Sequence, residues 1–202
     1  MTKKSIFYSH PLFYIFLLKF LHRSAFSKRY RYMASFVKKG DTVLEPGCGP
    51  AILANFIPKE SHYRGFDVNG AFINYAAKKY PDVHLGNALN PGDYSPADVV
   101  VVCDMLHHLQ PNDRKTFIKL CFQSAKKVFL ICEEGMNDKK RNNLKWLLEH
   151  FDQDGLNEMK VENILTKKFL KEEMENGFGV IPATTKRKIT EISEDSIIAY
   201  FK

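Results

Sequence analysis

Val43-Leu44-Glu45-Pro46-Gly47-Cys48-Gly49-Pro50-Ala51 is the stretch on which the reading of this chain turns. It begins inside a short apolar run, residues 41–45, that reads as a first β-strand. It then passes through two glycines, which let the backbone come close to a ligand. Residues 50–56 follow and predict a helix with proline in its first turn, where the missing N–H costs nothing. Strand, glycine turn and helix in immediate succession open a βαβ unit.

Outward from that stretch the alternation repeats. His62–Asp67 predicts a second strand, residues 70–79 a helix stopped before Pro81, and residues 83–86 a short third strand. Ala97–Cys103 (ADVVVVC) is a continuous apolar run, as a parallel strand buried on both faces requires. Residues 113–125 predict a helix and 127–133 a fifth strand. A polar helical insert is expected around 142–151. After it comes a helix over 167–176, with Thr166 as N-cap and Gly177 at C′. The late strands 184–192 and 196–201 are joined by so short a connection that they must pair antiparallel. The fold class is therefore α/β: a doubly wound, mostly parallel seven-stranded sheet with right-handed crossovers, ending in the reversed strand of a C-terminal hairpin. Residues 1–39 add N-terminal helices as a cap, and 40–202 form the main domain, with a helical insert at about 137–165.

The chemistry of the first loop narrows the ligand. It lies at the switch point where doubly wound sheets bind ligands. A lone GxG also opens phosphate-binding loops, but Glu45 at the end of the first strand repels a pyrophosphate. The region where a dinucleotide fingerprint needs its third glycine reads Pro50-Ala51-Ile52. A carboxylate at this place tolerates a cationic ligand instead. Asp67, at the end of the second strand, accepts hydrogen bonds from ribose hydroxyls, and Asn87 after the third strand both donates to and accepts from an adenine edge.

Four segments taken in order, Glu45-Pro-Gly-Cys-Gly, Gly65-Phe-Asp67, Gly86-Asn87-Ala88 and Asp98-Val-Val-Val-Val-Cys-Asp-Met-Leu-His-His-Leu109, resemble successive motifs of the class I S-adenosylmethionine (SAM)-dependent methyltransferases. The last of them is similar to small-molecule members of the ubiquinone/menaquinone-biosynthesis type. The resemblance spans about residues 40–135 and implies a Rossmann-like fold, SAM as cofactor and S-adenosylhomocysteine (SAH) as product. It implies that Glu45, Gly47, Cys48 and Gly49 line the methionine part. Asp67 would hold the ribose, with Val68 next to it among the cofactor-binding residues, Asn87 and Ala88 would meet the adenine, and Cys103 and Asp104 the sulfonium end. Two positions depart from the pattern. Ala51 stands for the third glycine, and Asn87 for a frequent aspartate.

Methyl transfer is an in-line displacement that proximity accelerates, with a base needed only where the acceptor must lose a proton. His107 and His108, just after the fourth strand, are the candidate bases, since imidazole titrates near neutrality. Glu133 and Glu134 at the end of strand five face the same edge. No Asn-Pro-Pro-Tyr run and no Pro-Cys follows the fourth strand, which speaks against adenine-N6, glutamine and cysteine-nucleophile cytosine methylation. No metal is expected. The acceptor read from this is a small molecule, apolar or lipid-like. The alternatives are an RNA-directed methyltransferase, a non-catalytic SAM- or nucleic-acid-binding module, and a remoter NAD-dependent oxidoreductase.

Charge singles out one further segment. The net charge is +7, yet residues 1–40 hold nine Lys/Arg, ten aromatics and no Asp or Glu, while residues 41–202 balance 21 basic against 23 acidic side chains. The apolar run 11–21, interrupted by Lys19, is shorter than the roughly 20 residues a spanning helix needs, and no small-residue cleavage site follows it. Three readings stand: helices packed on the core that roof the site, an interfacial helix on an anionic membrane surface, or a nucleic-acid-binding arm. Cys48, Cys103, Cys121 and Cys132 form no CxxC pair and read as reduced thiols of an intracellular protein. The expected location is cytoplasmic, with peripheral membrane association through residues 1–35.

Overall fold

The computed structural model describes residues 6–135, 165–194 and 196–202. The insert expected around 137–165 lies outside these residues, apart from its last position. A short 3-10 turn, Ile6–Ser9, leads into α1, Pro11–Ala34, which is kinked at Arg23. Then come β1 (Thr42–Pro46), β2 (His62–Asp67), α2 (Gly70–Ala76), β3 (Val83–Leu85), β4 (Ala97–Cys103), α3 (Pro111–Ser124) and β5 (Ala125–Glu134). The described chain closes with α4 (Lys167–Glu175), β6 (Arg187–Glu191) and β7 (Ser196–Phe201).

The seven strands run in the order β3-β2-β1-β4-β5-β7-β6, with β1 to β5 parallel and β7 antiparallel to both its neighbours. The hairpin is thus present, but its reversed strand, β7, lies inside the sheet and β6 takes the edge. The burial pattern shows why. β7 is apolar on both faces and nearly all buried, whereas β6 (RKITE) alternates charge with half-buried residues, as an edge strand facing water does.

Both sheet faces are covered. Val100, Val102, Phe129 and Ile131 pack with Phe117 and Ile118 of α3 and Leu170 and Met174 of α4. Their neighbours in sequence, Val99, Val101, Leu130 and Cys132, point the other way, onto Phe26, Tyr30 and Met33 of α1 and Ile73 and Ala76 of α2. The two-residue period of a strand, buried on both sides, is what the unbroken apolar runs encode. Thr166 Oγ1 accepts the Phe169 amide at 3.1 Å and Gly177 sits at φ +61°, so α4 starts and stops as its sequence predicts. All four cysteines are free thiols.

One expected element fails. Residues 50–56 form a turn and a single 3-10 helix, Leu53–Asn55, rather than an α-helix. Ala51 lies at φ +56°, in the left-handed region that breaks a right-handed helix. The Asn55 side chain donates to the carbonyls of Ala51 (3.5 Å) and Ile52 (3.2 Å), competing with the helical ladder. The loop after β1 consequently lacks the aligned helix N-terminus that holds pyrophosphate in dinucleotide folds. The second helix likewise stops at Ala76, with turns beyond it.

Candidate functional site

The carboxyl ends of β1, β2, β4 and β5 bring Glu45, Asp67, Cys103, Asp104 and Glu133 to one edge of the sheet, beside the point where strand order reverses between β1 and β4. Gly47 carries the β1 loop past this edge at φ +70°. A Cβ there would stand 2.6 Å from the Met105 sulfur, so a side chain at this position would displace Met105 as well as strain the backbone. Ala51 occupies a left-handed position of the same loop without glycine's freedom. The exchange that looks mild in sequence therefore keeps a glycine-like backbone, at a cost of roughly 1–2 kcal/mol.

Glu45 is 3% exposed, and its carboxyl accepts the Tyr63 hydroxyl in a short hydrogen bond. Burial pushes it up to about 8. That value already contains the Tyr63 hydrogen bond, which pulls it down, and the charges of Asp67 and Asp104, which push it up. Unfolded, this carboxyl titrates near its ordinary 4.5. The folded state then holds a proton that the unfolded chain has released. The resulting stabilisation is complete below about 4.5 and is lost as pH rises through about 8. Relative to Glu45→Gln, whose amide is always neutral, the wild type should lose a few kcal/mol of unfolding free energy between about pH 5 and pH 8.5. Denaturant titrations of both proteins across that range check this, and parallel stability curves would refute it.

Asp67 is held by the loops it joins. Its Oδ2 accepts the Gly49 amide and its Oδ1 the Asn69 amide, both at 2.8 Å. Both oxygens are thereby fixed in place by backbone amides at the end of β2, as a carboxylate that is to meet a ribose requires. Val68, next to it, is 42% exposed. Asn87 is placed differently from a simple adenine reader. Its side-chain oxygen accepts the Leu89 amide at 2.9 Å and its own amide donates to Asp93 at 2.7 Å, a turn built on Asx geometry. Ala88 is buried, and its carbonyl accepts the Tyr94 hydroxyl at 2.7 Å. Cys48 is buried against Gly65.

The two histidines are held in different ways. His107 Nδ1 meets Glu133 Oε1 at 2.6 Å, and Glu133 Oε2 accepts the amides of Met105 (3.1 Å) and Leu106 (2.8 Å). Glu133 is fully buried, so a fixed carboxylate both caps the turn Leu106–His108 and orients one imidazole. Glu134 instead lies 3.7 Å from Arg29 and accepts the Ser196 hydroxyl at 3.0 Å. His108 Nε2 lies 3.2 Å from the Tyr8 hydroxyl. Tyr8 in turn receives the Asn69 side-chain amide on its carbonyl at 2.8 Å and packs on Phe72. The N-terminal segment therefore reaches over the ends of both β2 and β4.

Arg29 is the site residue that the sequence concealed. It belongs to a basic run that composition assigns to a surface, yet it is fully buried and forks onto Asp104 through both terminal nitrogens. Burial opposes its charge, but Asp104 and the neighbouring groups outweigh that, and its pKa is raised. Asp104 itself sits at φ +52°. Tyr63, Met105, Asn69 and Tyr8 were likewise not foreseen. The only signal for any of them is position, since Met105 lies inside the fourth motif and Asn69 two residues after Asp67.

Residues 43–127 match the family model described as a methyltransferase domain. Among solved structures, the methyltransferase domain of bacterial CtHen1-CN shares 15% identity at a TM-score of 0.64, covering 88% of this chain and 99% of that one. A SAM-dependent methyltransferase from Aquifex aeolicus shares 16% identity at a TM-score of 0.58, covering 95% and 97%. The plantazolicin methyltransferase BamL, solved with a triazolic desmethylPZN analogue and SAH, shares 12% at a TM-score of 0.64, covering 96% and 92%. At these identities the structural likeness speaks for the fold alone. No curated protein sequence matches the chain. Residues 43–127 thus match a methyltransferase domain, and the seven-stranded sheet with its antiparallel β7 has the class I, Rossmann-like methyltransferase fold.

Proposed function

We propose that this protein transfers a methyl group from SAM to a hydroxyl on a small, apolar acceptor, with His107 as the base. The observation that carries this reading is the 2.6 Å contact between His107 Nδ1 and the buried Glu133 carboxylate. The donor set also suits the cofactor. Asp67 stands beside a loop with no helix N-terminus behind it, which disfavours a phosphate, and a cationic ligand at this edge would favour the charged form of Glu45. Asp67 would hold the ribose, and the backbone of Gly47 and Gly49 would admit the methionine part. Ala88, Asn87 and Val68 would flank the adenine side, and Cys103 and Asp104 the sulfur.

When bound, SAM supplies an electrophilic methyl on a sulfur that leaves with its bonding pair. The chain's own part is to position and to take one proton. Glu133 Oε1 accepts from Nδ1–H and so puts the basic lone pair of His107 on Nε2. His107 then withdraws the acceptor's hydroxyl proton as the oxygen closes on the methyl carbon. His108, tied to Tyr8, belongs to the wall of the acceptor site rather than to the proton path.

Calorimetric titration with SAM and SAH tests the cofactor. One saturable site for each is expected, none for NAD, and about tenfold to a hundredfold weaker binding in Asp67→Ala, the loss of hydrogen bonds to a charged group. Binding of NAD in place of SAM would overturn the reading.

A further inference from the structure

The outer half of α1 packs on the core through Tyr14, Ile15 and Leu18 and, among the described residues, leaves an apolar stripe on its other side exposed. Between Pro11 and Phe20 the only charged residue is Lys19, yet no residue of that stretch is buried. Leu12 is 68%, Phe16 64% and Phe20 54% exposed. At spacings of four they form one stripe along two turns. The inner half of the same helix behaves oppositely: Phe26, Arg29, Tyr30, Met33 and Ala34 are all buried in the core. The kink at Arg23 separates the two halves.

Charge says what the stripe meets. Lys19, Arg23, Lys28 and Arg31 are exposed on the same helix, and the first 40 residues contain no acidic side chain. A second copy of the chain would set this cationic rim against itself across a two-fold axis. Three side chains are also far short of the 20–30 residues per side that a stable interface engages, on the order of 800 Å². No helix of the described residues is long and apolar enough to cross a bilayer. An apolar stripe of aromatic and aliphatic side chains beside lysine and arginine is the pattern of a helix lying in the headgroup region of an anionic membrane.

We infer that residues 11–20 dock this protein on an anionic lipid surface, with Leu12, Phe16 and Phe20 entering the headgroup–acyl boundary and Lys19 and Lys28 facing lipid phosphate. The docking does not depend on methyl transfer. It adds to that reading a source for an apolar acceptor, because the same N-terminal segment reaches His108 through Tyr8.

The test is co-sedimentation of the full chain with phosphatidylcholine vesicles, with and without phosphatidylglycerol. The wild type should partition at least tenfold more strongly to the anionic vesicles. L12S/F16S/F20S should lose at least tenfold of that partition while keeping the wild-type near-ultraviolet circular dichroism. K19E/K28E should lose the preference for anionic lipid. SAH titration of the same samples reports on the cofactor separately, so a failed cofactor reading and a failed docking remain distinguishable. Absence of partition by the folded wild type, or undiminished partition by the triple variant, would overturn the inference. So would a dimer that the triple variant dissociates, which gives the face to a second copy. So would RNA binding that the triple variant abolishes without any vesicle binding by the wild type.

Discussion

Arg29→Ala is expected to lower the unfolding free energy by about 3–5 kcal/mol, enough to unfold a large share of a marginally stable domain. The reason is not the strength of the ion pair but what its loss leaves behind. Arg29 is fully buried and binds both oxygens of Asp104, whose backbone already sits at φ +52°. Removing the guanidinium strands a carboxylate beside Glu45 and Glu134 with no cation to balance it, and also empties the volume of a long side chain in the α1 layer. A double-mutant cycle with Asp104→Asn separates these terms. The pair Arg29→Met and Asp104→Asn should recover most of the loss, because a matched apolar and amide pair leaves no unpaired charge. Chemical denaturation of the four proteins measures it. If Arg29→Met alone costs under about 1 kcal/mol, the pair is not what fastens α1 to the site.

The same arginine marks where sequence reading stopped. The strands were legible because each carries its own signal. β4 and β5 are unbroken apolar runs, and the short connection of the last two strands admits only an antiparallel pair. Glu45, Asp67 and Asp104 were legible as strand-end acids because a doubly wound sheet brings strand ends to one edge. Arg29 was not, since a charged residue in a basic, aromatic run gives no sign of facing inward. Its burial depends on Asp104, 75 residues away. The helix expected over 50–56 failed for a local reason with a tertiary cause: Asn55 turns back on the carbonyls of Ala51 and Ile52 and also accepts from Lys79 and Tyr80, in the turn beyond α2. Periodicity and proline placement carry no information about that contact. The histidine pair was visible as a pair. Its asymmetry, one ring on Glu133 and the other on Tyr8, exists only once β5 and the N-terminal turn have been brought to β4.

That asymmetry yields the largest expected effect on activity. His107→Ala should lower kcat for methyl transfer by about 10²–10⁴-fold, the range a positioned general base contributes, with SAM affinity close to wild type. His108→Ala should cost far less and act mainly on the KM of the acceptor. Glu133→Gln is the sharper probe. Glu133 Oε2 is committed to the amides of Met105 and Leu106, so the glutamine oxygen must stay on those two donors. Its NH2 then faces His107 Nδ1 and forces that nitrogen to accept. The imidazole hydrogen moves to Nε2, where the lone pair is needed, and the base is lost while the turn keeps its shape. Glu133→Gln should therefore approach His107→Ala in kcat, and the double variant should be no worse than either single one, since both remove the same function. Single-turnover rates with an acidic phenol and with a more basic alcohol complete the test. The less acidic acceptor should suffer more from both substitutions, because it depends more on proton removal. Equal and small losses for both acceptors would mean that the acceptor reacts without a base, and that the Glu133–His107 pair serves only to fix the turn after β4.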